Sequence, residues 1–445
     1  MNRTVRLILF ITVLLALSVI SLLIPIPGAA TGPARADEKL VVITPHWDGI
    51  RNEFRPAFAS WYRERTGRTI DIEWLDQGGT SDCVRYILSQ FKRTPAGIGV
   101  DLFFGGGTDP YYKLKREGVL ERVSVPAPVL QKIPRVHAGT ELWDADSTWY
   151  GAVLSGFGIV YNKRVIELMN FRVPSGWNEL ADPRYAGWVG AADLRNSGTM
   201  HLMFEIILQA YGWEQGWRII TGITANTKTF TKGANEVPKM VAKGDVAFGL
   251  AIDFYGWAEV SEAGEDKVGF LLPAELTIIG ADALGMLRGA PNPEAARLFV
   301  EFVLSEDGQK LWFLRKGEAG GPVKQELNRM AVIPELYRSH GDRTNVRQDP
   351  FTGPAGGFQF DNTLSSRRWS VVNDLAGVGL IDRHDALRRW WRRSMRPADV
   401  GYLERLAVPV GRDECLRAAD SLWNDPVKRN ETLLEWQKRF ARAYE

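Results

Sequence analysis

The chain has 445 residues, with 55 Lys+Arg against 53 Asp+Glu, 45% hydrophobic residues, 24% charged residues and two cysteines. That length and composition suit a globular protein of two or more domains and exclude disordered, collagenous and multispanning classes. Residues 1–36 hold Arg3, Arg6 and Arg35 and no acid, so removing them takes the net charge from +2 to −1; a nucleic-acid partner, which calls for a basic excess, is not expected.

At the amino terminus, Arg3 and Arg6 precede an apolar run from Leu7 to Ile24, Pro25 and Pro27 break it, and Ala34-Arg35-Ala36 puts small residues where a signal peptidase reads. The pattern predicts a signal peptide over residues 1–36 and a periplasmic body, the alternative being an uncleaved membrane anchor. In that oxidising compartment Cys83 and Cys415 either close a disulfide or lie buried as small hydrophobes, and both readings stand. Two cysteines and five histidines give no zinc spacing, and no cofactor is expected.

Short β-rich runs at Leu40–Thr44, Ile70–Leu75 and Val100–Phe104 alternate with helical patterns. The first helix, from about Arg51 to Thr66, spaces Phe54, Phe58, Trp61 and Tyr62 along one face before Gly67. The second opens at Gly78-Gly79-Thr80-Ser81-Asp82. Gly151–Asn162 is apolar and glycine-rich, Gly187–Asp193 reads as a strand, and Ser197-Gly198-Thr199 opens an apolar helix from Met200 to Tyr211. Strands follow at Val246–Ile252 and Ala281–Leu287, then a helix at Pro293–Leu304 entered through Asn292-Pro293. Strands separated by helix-length stretches imply an α/β fold with a mainly parallel sheet. From about Pro322 the texture turns helical, charged and Trp-rich, and Arg388, Arg389, Arg392 and Arg393 read as one solvated helix face.

Three segments share one design, glycine with Thr or Ser at a helix mouth after a strand: Gly79-Thr80-Ser81, Gly106-Gly107-Thr108 and Ser197-Gly198-Thr199. Free backbone N–H groups, hydroxyls and the positive end of the helix dipole make such a mouth an anion site, and each is also an ordinary helix cap. Open α/β sheets bind ligands at the carboxyl ends of their strands, which adds His46 after the first strand and Asp253 and Tyr255 after Val246–Ile252.

Gly156-Phe157-Gly158-Ile159-Val160-Tyr161-Asn162-Lys163, the Trp177–Gly187 stretch and Ala295–Trp312 with Glu306-Asp307-Gly308-Gln309 resemble the type II periplasmic solute-binding proteins of ABC importers, the branch of ferric-ion, thiamine, phosphonate and sugar-phosphate binders. The resemblance covers Leu40 to Pro322. It implies a two-lobed fold with hinge strands near Gly151–Ile159 and Phe270–Pro273. The first lobe would take residues 37–150 and 274–325, the second 151–273, and a helical C-terminal extension 326–445. It also implies a non-enzymatic monomer that captures a small ligand and delivers it to membrane permease subunits. Ser197-Gly198-Thr199 matches the turn that, in ferric binders, holds the anion accompanying the metal. Asp253-Phe254-Tyr255 falls where those binders place two tyrosines. Iron(III) wants several anionic oxygens, so Phe254 weighs against iron and leaves Tyr255 as the one phenolate available. The expected ligand is an organic phosphate, phosphonate or carboxylate, with iron(III) plus a companion anion, or a cationic metabolite, as alternatives. Among other classes, a secreted hydrolase lacks a Gly-x-Ser-x-Gly elbow, a zinc motif and a Walker A motif, and a sensor or scaffold subunit would use the same fold.

Overall fold

The computed structural model describes Asn2 and residues 36–137, 139–273, 276–352, 359–396 and 401–444. The expected signal peptide, Asn2 and Ala36 aside, lies outside the described residues. Among the described residues no helix is long and apolar enough to cross a membrane.

The chain opens with β1 (Glu38–Ile43), α1 (Asp48–Thr66), β2 (Ile70–Leu75), α2 (Thr80–Arg93), β3 (Leu102–Phe104) and α3 (Asp109–Arg116). β2 and β3 pair parallel to β1 on either side, the geometry that helix-length connections permit. α1 buries Phe54, Phe58, Trp61 and Tyr62 and stops at Gly67, whose φ of 72° lets its N–H reach the Arg63 carbonyl.

The next strands are β4 (Tyr150–Asn162), β5 (Val189–Ala192), β6 (Thr227–Thr231), β7 (Phe248–Ile252), β8 (Val268–Leu271) and β9 (Ile279–Met286). Between and after them run α4 (Gly198–Ala210), α5 (Trp213–Asn226), α6 (Asp253–Ala263), α7 (Pro293–Leu304) and α8 (Glu306–Phe313). The sheet order is β2-β1-β3-β9-β4-β7-β5-β6, with β8 also on β4. Its two flanks are parallel, as expected, but β9 lies antiparallel to β3 and β4, and β4 antiparallel to β7 and β8. The expectation of a mainly parallel sheet is corrected there. β4 carries the chain from one half of the sheet to the other and β9 follows its return, so neighbours traversed in opposite senses pair antiparallel.

β4 is buried almost throughout; Tyr150–Gly156 faces β9 and Phe157–Tyr161 faces β7. Two large cores flank this crossing. One gathers Leu40, Phe54, Phe58, Phe299 and Trp312, together with Leu327 and Met330–Ile333. The other gathers Trp177, Phe204, Ile219 and Phe248. We propose that these cores are the two lobes and that the first continues to Leu336. The closing helices α9 (Asn362–Ala376), α10 (His384–Ser394), α11 (Arg412–Ser421) and α12 (Pro426–Tyr444) pack Val371, Leu375, Trp391 and Trp436 into the second core. α10 buries Leu387 and Trp391 and exposes Arg389, Arg392 and Arg393. Cys83 and Cys415 are free, buried in different clusters, with burial pushing both thiols up to about 12.

α9 bridges α3 and α4. Toward α4, Arg368 grips Glu205 with Nε and Nη2 at 2.9 and 2.7 Å, both side chains at most 2% exposed. On the same side His201 Nδ1 lies 2.6 Å from Asn373 Oδ1 and the imidazole lies on Trp369. Toward α3 the contacts are polar: Ser365 to Asp109, Lys113 Nζ to Ser370 Oγ at 3.1 Å, and Arg116 Nη2 to the Ser366 carbonyl at 3.2 Å.

Burial lowers the His201 imidazole to about 4. The folded protein therefore holds it neutral while the unfolded chain takes up a proton below about 6.5. Stability is full above that pH and falls as pH drops toward 4, by about 3 kcal/mol from this group. Thermal unfolding at pH 7 and pH 4.5 is expected to show a larger acid loss in the wild type than in His201→Gln; equal losses would show that this imidazole is not the group responsible.

Candidate functional site

A cavity of about 360 Å³ opens where the halves of the sheet meet, and residues just past β1, from β4, β9 and α6, and from the mouths of α2, α3, α4 and α9 line it. His46, Thr80, Gly107, Thr108, Ser197, Gly198, Thr199 and Tyr255 all stand on its wall. At the α2 and α3 mouths a strand ends, glycine carries the turn and a hydroxyl residue opens the helix; at the α4 mouth Ser197 is the cap and Gly198 the first helical residue. At the α3 mouth Gly105, Gly106 and Gly107 have φ of 104°, 96° and 80°, which only glycine adopts without strain. At the α4 mouth Ser197 Oγ accepts from the Met200 N–H at 3.2 Å, so its hydroxyl caps the helix while the N–H groups before Met200 are left toward the cavity.

The mouths of α2 and α4 touch. A Cβ added to Gly79 would sit 1.8 Å from the Asn196 carbonyl oxygen, and one added to Gly198 would sit 2.8 Å from Thr80 Cβ. Backbone approaches backbone at Gly79, and the Thr80 side chain packs on the bare backbone at Gly198, because neither glycine carries a side chain.

Two of the expected site residues do not reach the wall. Ser81 is turned into the protein with its Oγ unpartnered among the described residues. Asp253 lies behind the wall, where its carboxylate accepts from the Gly156 N–H at 2.9 Å and the Phe254 N–H at 2.7 Å. Burial lifts its carboxyl to about 7. It fastens α6 to the point where β4 changes partners. Burial likewise raises the Tyr255 phenol to about 12.

The floor is a charge network that sequence reasoning missed. Asp282 Oδ2 meets His46 Nε2 at 3.1 Å and Arg329 Nη2 at 2.9 Å, and its Oδ1 accepts from the Gly107 N–H at 2.9 Å. Burial alone would raise the Asp282 carboxyl, but Arg329, His46 and that N–H hold it well below the usual carboxylate range. His46 is lowered by burial, partly offset by Asp282. Arg329 is fully buried, donates to Ser155 Oγ at 2.6 Å, and lies over Phe254 with its guanidinium carbon 4.2 Å from the ring centroid. Arg51, Lys232, Asn196 and Asn362 complete the polar wall. Arg51 is occupied by Asp76 at 2.8 Å, and Asp282 by Arg329, so these pairs nearly cancel. Lys232 at the rim is balanced by Glu236, and what remains is the positive field of the converging helix mouths, an arrangement that attracts an oxyanion. Among the described residues, no group of three His, Cys, Asp or Glu side chains is placed to hold a metal ion.

A model of the bacterial extracellular solute-binding protein family matches residues 98–334, more than half of the chain. The phosphoglycerate transport regulatory protein of Salmonella typhimurium is 26% identical over 401 residues, covering 86% of this chain and 91% of that protein. Among solved structures, the periplasmic binding protein of Actinobacillus pleuropneumoniae with fructose-6-phosphate bound superposes with a TM-score of 0.57 at 17% identity, over 80% of this chain and 98% of that one. Iron-bound HitA from Pseudomonas aeruginosa superposes with a TM-score of 0.55 at 17% identity, over 79% and 99%. The shared fold is the two-lobed binding-protein fold, and it leaves about a fifth of this chain outside it.

Proposed function

The chain belongs to the bacterial extracellular solute-binding protein family, and from that premise we propose that it captures a small organic oxyanion, a phosphate ester or a phosphorylated carboxylic acid, between its two lobes. Members of such systems bind small ligands and deliver them to ABC permease subunits; they are binding proteins and not enzymes. The observation that carries the ligand class is the convergence of the α2, α3 and α4 mouths on one cavity whose ion pairs otherwise cancel. Thr199 and the free N–H groups of its turn are the oxyanion donors in this reading, with Thr80, Gly107 and Thr108 opposite and Lys232 at the rim. His46 and Tyr255 contact the remainder of the ligand. Phe254, in place of a second phenolate, supports this over iron(III). Export by residues 1–36 and a monomeric state are part of the same proposal.

The relative's printed name, a phosphoglycerate transport regulatory protein, supports 3-phosphoglycerate as the first probe. It also favours a second reading, in which the liganded protein reports on its solute to a regulatory partner. Charge-assisted hydrogen bonds contribute about 1.5–3 kcal/mol each, so Thr199→Val combined with Lys232→Gln is expected to weaken 3-phosphoglycerate at least tenfold in calorimetry. Wild-type affinity in that protein would remove the turn from the site. Iron gives a different signature, a visible phenolate-to-metal band that disappears in Tyr255→Phe.

A further inference from the structure

α9 lies beyond residue 334, where the family match ends, yet its first residue stands on the cavity wall. Asn362 is 8% exposed and lines the cavity beside Thr108. Its Oδ1 accepts from Thr108 Oγ1 at 3.2 Å. Its Nδ2 has no hydrogen-bond partner among the described residues and is not among their fully buried, unpartnered atoms, so the amide N–H groups are left to the cavity. Asp361 caps the helix by accepting from the Leu364 N–H at 2.9 Å, and Gln209 of α4 holds the Asp361 backbone through bonds of 2.8 and 3.2 Å.

We propose that Asn362 is a specificity-determining ligand contact, so that the C-terminal helical region, packed into the second core, completes the binding site. This rests on the oxyanion reading above for the class of ligand. A carboxamide donor at this place suits a carboxylate, phosphate or hydroxyl oxygen on the side of the ligand facing α3. The contact is preorganised, because α9 is fixed to α4 by the buried Arg368–Glu205 pair. A donor locked by its supporting helix loses little freedom when it meets the ligand.

The test is calorimetry of the full chain with 3-phosphoglycerate on wild type, Asn362→Asp, Asn362→Ser and Ser366→Ala, with the ligand-free melting temperature of each. Asn362→Asp keeps the acceptor for Thr108 and replaces the donor by a negative charge. It is expected to bind at least tenfold more weakly, and Asn362→Ser at least threefold, while Ser366→Ala, on the same helix but away from the cavity, binds as wild type. Equal affinity in wild type and Asn362→Asp would overturn the proposal and leave the oxyanion reading standing. If the wild type instead takes iron(III) and no organic oxyanion, that reading fails. The same two Asn362 variants titrated with iron(III) then decide: a tenfold change keeps Asn362 in the site, and no change removes it.

Discussion

Gly79→Val is expected to abolish tight ligand binding while leaving the ligand-free protein folded. The Cβ it adds falls 1.8 Å from the Asn196 carbonyl oxygen on the opposite side of the cleft, a distance no rotamer relieves because both partners are backbone-borne. The φ of −74° at Gly79 is ordinary, so the substitution strains nothing within its own segment. Its only conflict is with the closed arrangement. Held apart, the cleft loses the donors of one side; forfeiting two charge-assisted bonds costs about 3–6 kcal/mol, a hundredfold or more in affinity. Small-angle scattering is expected to show a ligand-induced decrease in radius for the wild type and none for Gly79→Val, and the ligand-induced rise in melting temperature is lost as well. A ligand-free Gly79→Val protein that is itself strongly destabilised would mean that the halves do not part, and the hinge reading would fall.

Arg368→Leu is expected to be the most destabilising single change outside the hydrophobic cores. It strands the Glu205 carboxylate, which is fully buried and bonded to Arg368 by two nitrogens, and breaking such a pair from one side costs about 3–5 kcal/mol. Asp109 nearby, already raised well above the usual carboxylate range by burial, offers the orphan no counter-charge, and a 3.3 Å bond from Gln209 Nε2 is left to it. The double change Arg368→Leu with Glu205→Leu removes both charges and is expected to recover most of the loss in denaturant unfolding. If the double variant is as unstable as the single one, packing of the guanidinium stem, including its stacking on Trp213 at 5.1 Å, matters more than the charge pair.

The helix mouths were legible because the signal is local: a strand, a glycine, a hydroxyl and an apolar helix in a few consecutive residues, as at Ser197-Gly198-Thr199. His46 and Tyr255 were legible for the same reason, since each stands just past the end of a strand. The floor was not. Asp282 lies within β9 among small residues, and a register shift between Asp282 and Ala283 in the β9–β4 pairing accompanies its turn toward His46; a shift of one residue reverses the face of a side chain, and no pattern announces it. Arg329 sits in an irregular segment 47 residues later, and its meeting with Asp282 is fixed only by tertiary packing. Asp253 shows the converse case: its position after a strand pointed to the cavity, but two backbone N–H groups satisfy it behind the wall. Asn362 had no signal at all, because nothing in a helical tail's sequence states which helices it will lie against.

The unequal grip of α9 has a kinetic meaning. Its bonds to α4 include a buried ion pair, whereas those to α3 are hydrogen bonds to serines and a backbone carbonyl. In the two-lobe reading, opening is expected to part the seam with α3, so that α9 travels with α4 and Asp109 and Lys113 meet water. Amide hydrogen exchange along Asp109–Arg116 then becomes a clock for opening. Ligand is expected to slow that clock, whose rate would set a ceiling on how fast the protein loads or unloads its cargo through this side.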